Sequence, residues 1–187
     1  MKIYTRIGDE GDTARPGGEK VRKSDAICHA LGGIDEINAV LGWCIAESQA
    51  SGAIAVLDAL RPLQGELLSL GAIVAAAGIA GPPPTELRQD SITRMERQID
   101  EAMGQLPPLT HFIVPGGGEL SCRLHIARTV CRRAERAIVQ VADEGLAIDA
   151  VALKCINRLS DLLFALARLA AHLTGQAETV WAPRRES

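Results

Sequence analysis

Four arginines and a glutamate (Arg128, Arg132, Arg133, Glu135 and Arg136) fall within nine residues of the run Leu124-His-Ile-Ala-Arg-Thr-Val-Cys-Arg-Arg-Ala-Glu-Arg136. On a helix, at roughly 100° per residue, Arg128, Arg132, Glu135 and Arg136 share an arc about 100° wide. Leu124, Cys131, Ala134, Ile138 and Val141 gather on the adjoining arc, so one helix carries a core-facing stripe beside a cationic one. Exposed guanidiniums at this spacing repel one another by roughly 0.2–0.5 kcal/mol per pair, and Glu135 offsets only part of that. A polyphosphate would resolve the conflict, and so would acids from a neighbouring helix or subunit. The segment by itself leaves both readings open.

Other groups with chemical potential lie at the start of the chain. Thr5-Arg6-Ile7-Gly8-Asp9-Glu10-Gly11-Asp12-Thr13 joins glycines, which let backbone N–H groups approach phosphate oxygens, to threonine hydroxyls that add donors. It is not a P-loop, because it lacks the Gly-Lys-Ser/Thr end and a preceding hydrophobic strand. Lys23 follows and is either a phosphate ligand or a solvated lysine. Gly32-Gly33-Ile34-Asp35-Glu36-Ile37-Asn38 sets two acids and an amide on a helix, where an ion pair to the arginine helix is simpler than carboxylate catalysis. Glu-x-x-His pairs are absent and His111 and His125 lack neighbouring ligands, so a histidine metal site is not expected. Phe112, one of only two phenylalanines, sits before Pro115-Gly-Gly-Gly, either as a core cap or as the apolar wall of a pocket.

The elements that position these groups follow from periodicity and breakers. Residues 1–24 read as a polar, glycine-rich arm without a core of its own, mobile until something orders it. A helix begins near Ser24–Asp25 and ends at Ser51–Gly52, with Ile34, Ile37, Val40 and Leu41 on its buried face. A second helical segment covers about 53–79 with a kink or restart at Pro62, and its Ala75–Ala77 run reads as a helix interior at a tight packing site. A third helix spans about 86–104, the arginine helix about 119–143, and the last about 148–174. The last is apolar nearly all round except for Lys154, Asn157, Asp161 and Arg168, polar groups that require partners. The expected fold is all-α: a single-domain, five-helix up-and-down bundle over about 25–175 with the arm attached.

Composition sets the outer limits. Of the 187 residues, 47% are hydrophobic but only 3% aromatic, so Leu, Ala, Ile and Val must fill the core, which suits close helix packing. A net charge of −3 argues against a general nucleic-acid binder, and any cationic site must be local. The five cysteines (Cys28, Cys44, Cys122, Cys131 and Cys155) form no CxxC pair and read as core-filling thiols in a reducing compartment. An opening without a signal-peptide pattern, and no apolar run long enough to cross a bilayer, lead to the expectation of a soluble cytoplasmic protein.

Taken in order, the arm, Lys23-Ser-Asp, Gly-x-x-Asp-Glu-Ile-Asn, Phe-Ile-Val-Pro-Gly-Gly, the arginine run and Ile156-Asn-Arg-Leu-Ser-Asp-Leu-Leu-Phe form a series from residue 2 to about 170. The series closely resembles the PduO-type ATP:cob(I)alamin adenosyltransferases, and its last three blocks are highly specific. The resemblance implies a five-helix bundle, assembled as a homotrimer with sites between subunits. The implied reaction transfers the 5′-deoxyadenosyl group of ATP to the cobalt of reduced corrinoid, releasing triphosphate. Matched residue by residue, it implies that Thr5, Arg6, Ile7, Gly8, Thr13 and Lys23 wrap the ATP, that Arg132, Arg133, Glu135 and Arg136 hold triphosphate and Mg²⁺ (Glu135 as the metal ligand), and that Asn157 meets the nucleoside. It also implies an intersubunit Asp35–Arg128 pair near the corrin and a lower-ligand-displacing role for Phe112. A corrinoid reductase and a cobalamin-dependent mutase are the implied protein partners.

The chain departs from the pattern in places. Ile7 and Gly33 stand where threonines are usual, Asp12 adds an acid to the arm, and Arg15-Pro16 replaces a more apolar pair. These bear on how the arm is ordered. The competing readings are a non-catalytic helical-bundle interaction module and a nucleotide-binding sensor.

Overall fold

The structure, a computed structural model, describes residues 8–182 together with Lys2, Tyr4 and Arg6. Its helices are α1 (Ala26–Ala50), α2 (Ile54–Leu60), α3 (Leu63–Ala75), α4 (Gln89–Met103), α5 (Glu119–Asp143) and α6 (Ala150–Leu173). α2 and α3 are the expected second segment broken at Arg61–Pro62, since proline is tolerated only at the start of a helix. Five helical members therefore form the bundle. α1 lies between α3 and α5, and α6 between α5 and α4, while the Glu66–Arg94 ion pair ties α3 to α4 and closes the ring.

α6 is the central member. From Leu162 to Ala171 nearly every side chain is buried, and Asp149 caps its start by accepting the Val151 N–H at 2.8 Å. Such close packing depends on small residues. A Cβ on Gly33 of α1 would stand 3.1 Å from both Cα and Cβ of Ala134 on α5, so glycine, where the family resemblance expects threonine, is what lets these helices approach. Gly117 and Gly118, both at φ +90°, lead into α5, and a Cβ on Gly117 would meet Ala171 at 2.7 Å.

Two small antiparallel ladders complete the fold. β1 (Asp12–Ala14) pairs with β2 (Lys20–Arg22), and β3 (Ile113–Val114) pairs with β4 (Thr179–Val180). Within the arm of residues 1–24, Asp12–Arg22 thus forms a short hairpin, where Gly17 and Gly18 at φ +90° and +85° turn the chain back on itself. The Ala75–Ala77 run, expected as a helix interior, is not one, because α3 ends at Ala75 with Ala76 as its cap.

Candidate functional site

α5 carries the cationic stripe, and its placement follows from the stripe beside it. Leu124, Cys131, Ala134, Ile138 and Val141 are fully buried, which fixes the helix's rotation and turns Arg132, Arg133 and Arg136 outward. Arg128 is half-buried. Its guanidinium lies over the Phe164 ring at 6.0 Å, and its Nε is buried without a hydrogen-bond partner among the described residues. Burial first, and repulsion from Arg132 second, hold its pKa below the usual arginine value. Arg128 and Arg132 line a cleft of about 240 Å³ between α4, α5 and α6, whose other walls include Met103, Ser160, Asp161 and Phe164.

The stripe is divided. Arg133 is ion-paired with Glu36 of α1, so its charge is engaged by an acid across the helix seam. Two acids of α1 thus pair with α5 arginines, Glu36 with Arg133 and Glu47 with Arg123 at 3.0 Å, while Asp35 is exposed and has no ion pair among the described residues. Arg132 and Arg136 likewise have no acidic partner among the described residues. Glu135 is half-buried and accepts the Asn157 amide at 2.8 Å through Oε1, leaving Oε2 unengaged there. Two free guanidiniums, one carboxylate oxygen and the Asn157 amide thus face out together, a set suited to a polyanion carrying a divalent cation. Among the described residues no group of three or more His, Cys, Asp or Glu side chains forms a metal cluster.

The hairpin gathers a second set. Lys23 Nζ donates to the Gly8 carbonyl at 2.7 Å, Lys23 N donates to the Gly11 carbonyl at 2.9 Å, and half-buried Thr13 is paired with Val21. Asp12 is matched by Arg22 at 2.7 Å, so the extra acid of the arm carries its own counter-charge. Arg6 is exposed with φ +64°, whereas Thr5 and Ile7 lie outside the described residues. No hydrogen bond or ion pair among the described residues joins this hairpin to α5.

Phe112 is 79% exposed immediately before β3. It does not cap the core. Its carbonyl accepts the Trp181 N–H at 2.8 Å, and the two rings meet edge to face at 6.3 Å. The sequence reading missed Trp181 and the tail that delivers it. The available signal was the β-prone Thr179-Val-Trp181 run after the last helix stop. Arg168, only 2% exposed, places this tail: its Nε and Nη2 donate to Glu178 at 2.7 and 2.9 Å, and Nη2 also donates to the Pro107 carbonyl at 3.1 Å. The polar group retained on α6 found its partner in the tail and the 104–108 connection.

The cysteines are mostly packing. Burial pushes the Cys44 and Cys155 thiols up to about 12 and raises that of Cys131 as well, which makes them inert. Cys122 is the correction to a core-filling role, because it is exposed on α5 beside buried His125. Among the described residues no helix is long and apolar enough to cross a membrane.

Comparison with known proteins places this geometry. The family model described as cobalamin adenosyltransferase matches residues 3–170. The corrinoid adenosyltransferase of Mycobacterium bovis is 39% identical over 187 residues, covering 97% of this chain and 93% of that protein. The human corrinoid adenosyltransferase MMAB is 38% identical over 184 residues, covering 96% of this chain and 73% of that protein. A structure of a variant PduO-type ATP:corrinoid adenosyltransferase from Lactobacillus reuteri, complexed with cobalamin and ATP, superposes with a TM-score of 0.88 at 32% identity and covers 97% of this chain and 100% of its own.

Proposed function

The chain belongs to the cobalamin adenosyltransferase family, and from that premise we propose that it transfers the 5′-deoxyadenosyl group of ATP to the cobalt of reduced cob(I)alamin, releasing triphosphate. The observation that carries the reading is the pair of guanidiniums, Arg132 and Arg136, without an acidic partner among the described residues and held beside the Arg128 cleft by the packing of α5. Cob(I)alamin supplies the nucleophile. The cobalt–C5′ bond forms as the C5′–O bond breaks, and triphosphate leaves with the electron pair. The protein has two tasks: to set C5′ in line with cobalt and to neutralise charge gathering on the leaving triphosphate.

Arg132 and Arg136 do the second task. Glu135, with its free Oε2, is the group that would hold Mg²⁺ on the phosphates, and Asn157 meets the nucleoside. Thr5, Arg6, Ile7, Gly8, Thr13 and Lys23 wrap the ATP from the hairpin side. Among the described residues no hydrogen bond or ion pair joins the hairpin to the α5 stripe, which supports a homotrimer in which one subunit's hairpin meets the next subunit's stripe. Asp35, exposed and free, then pairs with Arg128 across that boundary. Phe112, backed by Trp181, presents an apolar edge that displaces the lower axial ligand of the corrinoid, making Co(II) easier to reduce without any titrating group. A cytoplasmic location, a reductase that delivers the electron and a mutase that accepts adenosylcobalamin complete the proposal.

The test is to supply ATP, cob(II)alamin and a reductant and to follow the corrinoid spectrum. The expected result is a base-off, four-coordinate species followed by adenosylcobalamin and free triphosphate. If neither species forms, the transferase reading fails.

A further inference from the structure

We infer that Arg15 is a positioning residue for ATP, latching the β1–β2 hairpin to the end of α3 so that Gly8, Thr13 and Lys23 stand ready for the triphosphate. The inference rests on the reading that this hairpin binds ATP. A two-stranded hairpin with strands of three residues is marginal in water and needs an external hold. Arg15, in the turn between the strands, provides one. Its side chain is 6% exposed, and its Nη1 donates to Glu19 at 2.8 Å. Nη2 donates to the Ala75 carbonyl at 3.3 Å and to the Ala77 carbonyl.

These acceptors belong to the end of a helix, where carbonyls lack intrahelical partners and carry partial negative charge. α3 has no basic residue in its own last turn, so the hairpin brings the cation from outside. The alanines at 75–77 leave room for a guanidinium to close on their carbonyls. A buried guanidinium needs acceptors, and although Nε is buried without a partner among the described residues, Nη1 and Nη2 both find theirs, so the arrangement disfavours an undocked hairpin. Ligand affinity scales with the fraction of chains whose site is already assembled, so a weaker latch raises the apparent dissociation constant in proportion.

The test uses the full chain, MgATP titrated calorimetrically without corrinoid, and steady-state kinetics. Arg15→Met is expected to raise the dissociation constant and KM for ATP about tenfold, leaving kcat at saturating ATP and the melting of the bundle nearly unchanged. Arg15→Lys, which keeps a cation but not the fork, should recover part of the loss. Unchanged ATP affinity in Arg15→Met, or lower melting with unchanged KM, overturns the inference. Lys23→Ala separates two failures: if it weakens ATP while Arg15→Met does not, the latch falls alone. If neither variant weakens ATP, the reading of the hairpin falls with it. Should Arg15→Met not fold, Glu19→Gln carries the test, with an expected loss of about threefold and unaltered affinity as the contrary result.

Discussion

On α5, Arg132 is set in place by a helix whose Cys131 and Ala134 are buried on either side of it, whereas Lys23 on the hairpin and Trp181 on the tail depend on single buried arginines, Arg15 and Arg168, for theirs. Both kinds of placement offer side chains to the same proposed chemistry. The helix fixes its charges through many shared apolar contacts, so no one contact is decisive. The end segments bury little and, beyond short strand pairings and a few side contacts, lean on one buried arginine each, so a single substitution can loosen them. Strong positioning thus falls to the groups proposed to neutralise phosphate, and releasable positioning to the groups proposed to close over the substrates.

The contrast can be broken or sharpened by substitution. The largest effect is expected from Arg132→Ala, which removes from a rigid site a guanidinium with no acidic partner among the described residues. ATP affinity should fall by about a hundredfold, with thermal melting unchanged, as read by calorimetry. A loss of less than threefold would mean that the stripe serves a structural end. Next comes Arg168→Met, which leaves Glu178 without its partner. The expected cost is about 2–3 kcal/mol of stability, seen as a lower melting temperature, together with altered fluorescence of Trp181. Equal stability of wild type and variant would show that the tail is held by β3–β4 pairing alone.

Phe112→Ala is expected to leave ATP affinity unchanged and to slow transfer by about tenfold. Equal loss of ATP affinity here and in Arg132→Ala would contradict the assigned division of labour. The smallest effect concerns His125. Burial first and the Arg128 charge second lower its pKa from 6.5, against a raising influence of Glu178. The unfolded chain therefore binds a proton that the folded chain refuses, so stability falls as pH drops below 6.5, by at most about 1.4 kcal/mol per unit. Denaturant midpoints of His125→Gln should lack this component. A stability that rises on acidification through this range would oppose the assignment.

The same contrast governs what was legible in the sequence. Helix limits were readable because Ser51–Gly52, Pro62, Gly104 and Gly118 are local breakers, and the structure places helix ends at or next to them. The core stripe of α5 was readable because helical periodicity decides it. The strands were not, since pairings of two or three residues are fixed by partners distant in the chain, such as Ile113 with Val180. The pairing of Arg133 with Glu36 was not legible, because it depends on how α1 and α5 are rotated against each other. Arg168 was recognised as needing a partner, but Glu178 lay beyond the last helix and offered no periodic signal. Arg15 stood out only as a departure from a motif. Its use became clear once the carbonyls of Ala75 and Ala77 were seen to accept from its Nη2.

The central claim is that a triphosphate sits between the free guanidiniums of α5 and a clamped hairpin. A crystal structure of the chain with MgATP tests this most directly. The account predicts phosphate oxygens within hydrogen-bond distance of Arg132 and Arg136, Lys23 on the same ligand, Mg²⁺ on Glu135 and Arg133 still on Glu36. A triphosphate bound elsewhere, with Arg132 and Arg136 neutralised by acids of a neighbouring subunit, would contradict it.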